Sequence, residues 1–138
     1  MSAAPTPASV ILASARGDDR VALRQALEGT PFALETTRDL SATAAALAQA
    51  SVPIVLYDRD LPGPGWQEAF EQLASVRKRV ALILLSNVSD PYLSDEVAEH
   101  RGFDVLTRPF QRQEVLSLLL FARTHCTVLW PSRPAGLN

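Results

Sequence analysis

A single cysteine, Cys126, stands in 138 residues, so the chain can form neither an intramolecular disulfide nor a thiolate-rich metal site, and a reducing interior suits it best. His125 beside it makes no catalytic dyad, because neighbours in sequence do not face each other on a helix. A basic excess is also missing. With 13 Lys+Arg against 15 Asp+Glu, a formal charge of -2 and a pI near 5.6, the chain lacks the extended positive field that a phosphate backbone demands, which argues against direct nucleic-acid binding. Arg77, Lys78 and Arg79 form the one basic cluster, and three charges in a loop read as a solvated turn. Long apolar runs are absent as well: none approaches the ~18 residues of a membrane span, and Met1 to Ala8 has neither the charged start nor the apolar stretch of a signal peptide. These absences leave a cytoplasmic protein, off the membrane, as the expectation.

What is present is ordinary globular composition, 47% apolar and 20% charged, in a length that suits one core. Residues 1–8 read as a disordered leader, 9–126 as one domain and 127–138 as a C-terminal tail. Val10 to Ala13, Ile54 to Tyr57 and Val80 to Leu85 are continuous apolar runs, and weaker strands pass through Phe32 to Leu34 and through Val105 and Leu106. Runs without alternation indicate strands covered on both faces. Between them lie segments of helical spacing: Leu23 with Ala26 and Leu27, Ala42 to Ala50, Trp66 with Phe70 and Leu73, Leu93 with Val97, and Val115 with Leu118, Leu119 and Ala122. Asp18 is placed to cap the first helix, Gly29 to end it, and Gly102 to end the fourth.

Strand and helix alternating five times specify an α/β domain, a three-layer doubly wound parallel sheet with helices on both faces. Ligands in such folds sit beyond the carboxyl ends of the strands, which here carry Ser14 and Ala15, Asp58, Ser86 and Asn87, and Arg108 with Pro109. A carboxylate closing an apolar strand is costly unless paired, which marks Asp58 as a site residue, functional or vestigial.

Five such units, a lone Asp closing the third strand in Tyr57-Asp58-Arg59-Asp60-Leu61-Pro62-Gly63, a Ser closing the fourth, and Arg108-Pro109-Phe110 after the fifth resemble the receiver domain of two-component response regulators over roughly Ser9 to His125. The resemblance implies a flavodoxin-like, CheY-like five-stranded sheet of order 2-1-3-4-5. It also implies a phosphoryl group passed from a histidine kinase to Asp58, with the Ser86 hydroxyl and the cation at 108 holding its oxygens. In the family Mg²⁺ neutralises charge, held by an acidic pair after the first strand, the acceptor Asp and the carbonyl two residues later.

The departures matter as much. Ser14 and Ala15 stand where the acidic pair belongs, leaving Asp58 and Asp60 as weak metal carboxylates. Asp18 and Asp19 follow closely and read as helix N-terminal residues favoured by the dipole. Arg108 replaces the family's lysine. It either pairs with Asp58 or Asp60 in place of the metal or is an exposed arginine after a strand. Asn87 takes the place of a very small residue, and Val105 that of an aromatic one. Ser86 could equally cap the following turn, and Trp66 reads as core.

Two functions are therefore expected to compete. The first is an atypical, stand-alone receiver, a pseudo-receiver that signals through protein contacts with a histidine kinase or a downstream protein. The second is a phosphoacceptor at Asp58 with weakly held Mg²⁺, the only catalytic chemistry the chain would have. In the last helix Leu116, Leu120 and Phe121 fall off the face set by Val115, Leu118, Leu119 and Ala122, so it is apolar nearly all round. Either the last two helices and last strand serve a homodimer or partner contact, or Val128 to Trp130 fold back over them.

Overall fold

The computed structural model describes residues 8–128, with side chains described for 9–126. Ten elements alternate: β1 (Ala8–Ala13), α1 (Gly17–Leu27), β2 (Phe32–Thr37), α2 (Leu40–Gln49), β3 (Ile54–Asp58), α3 (Trp66–Val76), β4 (Ala81–Ser86), α4 (Pro91–Glu99), β5 (Asp104–Thr107) and α5 (Arg112–Val128). The strands form one parallel sheet of order β2-β1-β3-β4-β5, the order that the receiver resemblance implies. The expected leader and tail otherwise lie outside the described residues, but β1 begins one residue inside the first and α5 extends two residues into the second.

The pleat sends successive side chains of each central strand to opposite faces. Val10 and Leu12 of β1, Ile54 and Leu56 of β3, and Ala81, Ile83 and Leu85 of β4 meet α1 through Leu23, Ala26 and Leu27, and α5 through Val115, Leu119 and Ala122. Ile11, Val55, Tyr57, Leu82 and Leu84 face the other way, onto Leu47 of α2, Trp66, Phe70 and Leu73 of α3, and Leu93 and Val97 of α4. Both faces are covered, so the strands read as unbroken apolar runs. Each large apolar side chain removed from water contributes about 1.5–3 kcal/mol, and Trp66 is among them at 5% exposure, in the core as expected.

Three details of punctuation differ from the expectation. Asp18 does not cap α1; the N-cap is Arg16, without a side-chain cap bond. Asp39 and Asp90 do cap α2 and α4, accepting from the backbone N–H of Ala42 and of Tyr92. At the end of α4 the left-handed residue is Arg101, φ 71°. Gly102 serves a close approach instead: its N–H donates to Val97 O at 2.8 Å. A Cβ there would collide with Val97 Cγ1 and lie 2.8 Å from Phe70 Cε2. Nor is the basic cluster simply solvated, because Arg77 Nη1 donates to the carbonyls of Leu47 and Ala50 and closes the end of α2. Arg112 does the same for α1, donating to Ala26 O and Glu28 O at 2.9 and 3.0 Å.

Cys126 packs in the α1/α5 core with its Sγ 3.5 Å from Pro53 O. Burial pushes its thiol up to about 11, against the opposing pull of a backbone hydrogen bond from Ala81 and the charge of Arg77. Thiolate is the reactive form, so alkylation of the native protein by iodoacetamide at neutral pH is expected to be slow and to become fast on unfolding in urea. Rapid native alkylation, followed by mass, would contradict the packing.

Candidate functional site

Parallel register carries the chemistry to one edge of the sheet. Ala13 pairs with Tyr57 and Asp58 with Leu85, so the residues that follow, Ser14, Asp58 and Ser86, emerge side by side where the strands stop. The ladder runs on past the strand ends through Ser14 N to Thr37 O, Arg59 N to Leu85 O, and Arg108 N to Ser86 O. Ser14, Asp58 and Ser86 are all buried at this edge.

Burying Asp58 at 2% exposure calls for a counter-charge, and Arg108 supplies it. Its Nη2 lies 3.1 Å from Asp58 Oδ1. The same guanidinium grips Asp19 in a two-pronged bond, Nε to Oδ1 at 2.9 Å and Nη2 to Oδ2 at 2.7 Å, the geometry in which an arginine–carboxylate pair is strongest. Nη1 donates to Asn87 Oδ1 at 3.2 Å, and the guanidinium lies 5.6 Å from the centre of the Phe110 ring. Arg108 therefore points inward, its side chain 11% exposed.

Asp19 is the residue that sequence reasoning missed. Read as a helix N-terminal residue favoured by the dipole, it does lie in the first turn of α1, but it is 2% exposed and faces the cleft. Asp18, its neighbour, is the exposed one. Ser14 explains the placement: its hydroxyl donates to Asp19 Oδ2 at 2.7 Å while accepting from Arg16 N at 3.0 Å. Burial alone would raise the Asp19 carboxyl, but hydrogen bonds from Arg108 and Ser14 and the charges of Arg108 and Arg16 outweigh it and hold the group below the usual carboxylate value. Those Asp19 hydrogen bonds, opposed by burial but aided by the charges of Asp19 and Asp58, lift Arg108 above its own ordinary value, so the guanidinium stays charged.

Other expected site residues are placed differently. Asp60 enters through its backbone, whose N–H donates to Asp58 Oδ1 at 3.1 Å; its side chain is exposed. The Ser86 hydroxyl closes the following turn, bonding the N–H and the carbonyl of Val88, both at 3.1 Å, and accepts from Arg59 Nη1 at 3.4 Å. Ala15 is exposed and adds nothing polar to the cleft. Val105 is half-buried against the α2/α3/α4 core.

Magnesium asks for near-octahedral oxygen ligands at about 2.0–2.1 Å. Here the Asp19 and Asp58 oxygens are bonded to one guanidinium, and among the described residues no group of three or more His, Cys, Asp or Glu side chains is placed to hold a metal. In this arrangement the residues do not fit the ion.

No protein-family model and no curated protein matches the chain. Solved structures do. The signal receiver domain of an HD domain-containing protein from Pseudomonas fluorescens Pf-5 is 21% identical with a TM-score of 0.79, covering 94% of this chain and 96% of its own. The chemotaxis protein CheY4 of Vibrio cholerae is 19% identical with a TM-score of 0.74, covering 84% and 98%. The receiver domain of a sensor histidine kinase from Pseudomonas aeruginosa PAO1, with a magnesium ion coordinated in its active site cleft, is 16% identical with a TM-score of 0.71, covering 83% and 96%. Among the described residues no helix is long and apolar enough to cross a membrane. The strand order, the coverage of nearly the whole chain and the TM-scores agree on one conclusion: this chain has the CheY-like fold of response-regulator receiver domains.

Proposed function

We propose that the chain is an atypical receiver that acts in signalling through protein contacts, its phosphoacceptor position Asp58 engaged by Arg108 rather than open to phosphoryl transfer. One observation carries the reading: the guanidinium bridges Asp58 and Asp19 within 3.1 Å. Ser14 and Ala15 add no carboxylate after β1, so Mg²⁺ would be held weakly at best. Composition supports a cytoplasmic setting without direct nucleic-acid contact. Intact mass after incubation with a small phosphodonor and Mg²⁺, comparing the native chain with Asp58→Asn, is expected to show no adduct on either, beside a conventional receiver that labels. An Asp58-dependent phosphoryl adduct would sink the reading.

The second reading, a slow phosphoacceptor fed by a histidine kinase, has the strand-end array in its favour: Asp58 and Ser86 close neighbouring strands, and the Asp60 amide already bonds Asp58 Oδ1. For Asp58 to attack phosphorus while the phosphohistidine P–N bond breaks, Arg108 has to release Oδ1 and turn to the incoming oxygens.

For the contact surface we propose the face of α4, β5 and α5. Tyr92, Phe121 and Leu120 are 80%, 66% and 46% exposed, and a groove of about 480 Å³ runs between β5 and α5, lined by Val105, Leu106, Leu118 and Phe121 with Asp104 and Glu114 on its rim. Exposed aromatic surface of this kind marks association. The competing expectation, a fold-back of Val128 to Trp130, lies outside the described residues apart from the last residue of α5. Sedimentation is expected to show a concentration-dependent homodimer that Phe121→Asp abolishes; a wild type monomeric at all concentrations would remove the dimer from the proposal.

A further inference from the structure

Arg108 leaves the junction of β5 and α5 and reaches three other segments at once: Asp19 in the first turn of α1, Asp58 at the end of β3, and Asn87 in the turn after β4. A guanidinium offers five N–H donors in a rigid fork, and four of these hydrogen bonds are made, two of them to Asp19. The two carboxylates are almost fully shielded from water, at 3% and 4% side-chain exposure, so leaving them without a cation is strongly destabilising and they require a counter-charge. A divalent ion meeting that requirement would need the same oxygen lone pairs. It would also have to displace a cation that is covalently part of the chain and never diluted away.

We propose that Arg108 is a resident cation standing in the position of a divalent ion between Asp19 and Asp58, so that the four segments it joins are held in one arrangement whatever the metal supply. The inference rests on reading this cleft as a receiver pocket, and it extends that reading from chemistry to regulation. Asn87 is the link to the surface: it opens the turn that carries Val88, 55% exposed, and leads into α4, whose Tyr92 is 80% exposed. These exposed side chains at the head of α4 are therefore presented continuously, without the loading and unloading that an exchangeable ion would impose.

The test compares thermal melting of the full chain and of Arg108→Ala in EDTA and in millimolar Mg²⁺, with Mn²⁺ binding followed by electron paramagnetic resonance. The native chain is expected to melt at the same temperature in both media and to bind no Mn²⁺ saturably. Arg108→Ala, left with two unpaired carboxylates, is expected to bind Mn²⁺ and to melt roughly 5 °C higher in Mg²⁺ than in EDTA. A native chain stabilised by Mg²⁺ overturns the proposal, as does a folded Arg108→Ala indifferent to it. Should Arg108→Ala not fold in EDTA, recovery of its far-ultraviolet circular dichroism on adding Mg²⁺ supports the proposal and failure to recover overturns it. An Asp58 phosphoryl adduct on a native chain insensitive to Mg²⁺ would sink the partner-binding reading alone, so the two failures are distinguishable.

Discussion

In EDTA at neutral pH, Arg108→Ala is expected to lower the unfolding free energy by about 3–5 kcal/mol, the penalty for leaving buried carboxylates without their partner. Repulsion between Asp19 and Asp58, no longer bridged, acts in the same direction. The loss depends on pH with a definite sign. In the native chain the Asp19 carboxyl is held below its unfolded value of 3.8, so its contribution is present above that value and fades as pH falls through the lower folded one. In the variant the lowering by Arg108 is gone and burial is opposed only by the Ser14 hydrogen bond and the charge of Arg16, so the folded value rises relative to the native chain; the penalty is full at neutral pH and vanishes once the carboxyl is protonated in both states. The gap between the two urea curves should therefore be widest near pH 7 and narrow as pH falls toward 3.8 and below. A gap that stays constant over that range would show that Arg108 acts by packing rather than charge. Asp19→Asn in the Arg108→Ala background should recover part of the loss, because it removes one of the two buried charges.

Gly102→Ala comes next in size, at about 3 kcal/mol, the upper part of the range for overpacking. The added methyl would meet Val97 Cγ1, Phe70 Cε2 at 2.8 Å and Val97 O at 2.9 Å, and no rotation relieves a Cβ. A backbone carbonyl cannot swing aside, and Phe70 is fully buried between Trp66 and Tyr57, so the end of α4 has to move instead. The lost bond from Gly102 N to Val97 O would add to the penalty. A fall in the urea midpoint at unchanged slope is the expected signature. Gly29→Ala is a useful contrast, since nothing lies within 4 Å of its added Cβ and only its φ of +77° opposes the change; about 1 kcal/mol is expected there.

The fold was legible because both sheet faces are covered, so that Ile54 to Tyr57 and Val80 to Leu85 appear as unbroken apolar stretches. Strand boundaries were less so. β2 runs on to Thr37 through Glu35 and Thr36, because an edge strand satisfies its pattern with backbone pairing that polar side chains do not betray. Within the site, Asp58 followed from one argument, that a carboxylate ending an apolar strand is costly unless paired, whereas the inward turn of Arg108 was one of two readings the sequence left open. Asp19 did not follow. In the first turn of a helix an acidic residue already has a sufficient local reason, the dipole, and only the packing of α1 reveals which of two adjacent carboxylates faces inward. The available signal was the five-residue step from Ser14 to Asp19, which brings a hydroxyl and a carboxylate to one side of the turn. The role of Gly102 was hidden for a similar reason: a glycine after a helix reads as the left-handed residue, whereas here Arg101 takes that conformation.

α1 is pinned at its start by Arg108 through Asp19 and at its end by Arg112 through the carbonyls of Ala26 and Glu28. Both clasps come from a stretch of five residues leading into α5. α1 is thus stapled head and tail to the segment that opens α5. A partner landing there would find its footprint already ordered during folding, with little conformational entropy left to surrender on contact. Association with such a flank should be governed by shape and by the charges of Arg16, Asp18 and Arg112 around it, and it should be fast and weakly dependent on temperature, as docking between rigid bodies is.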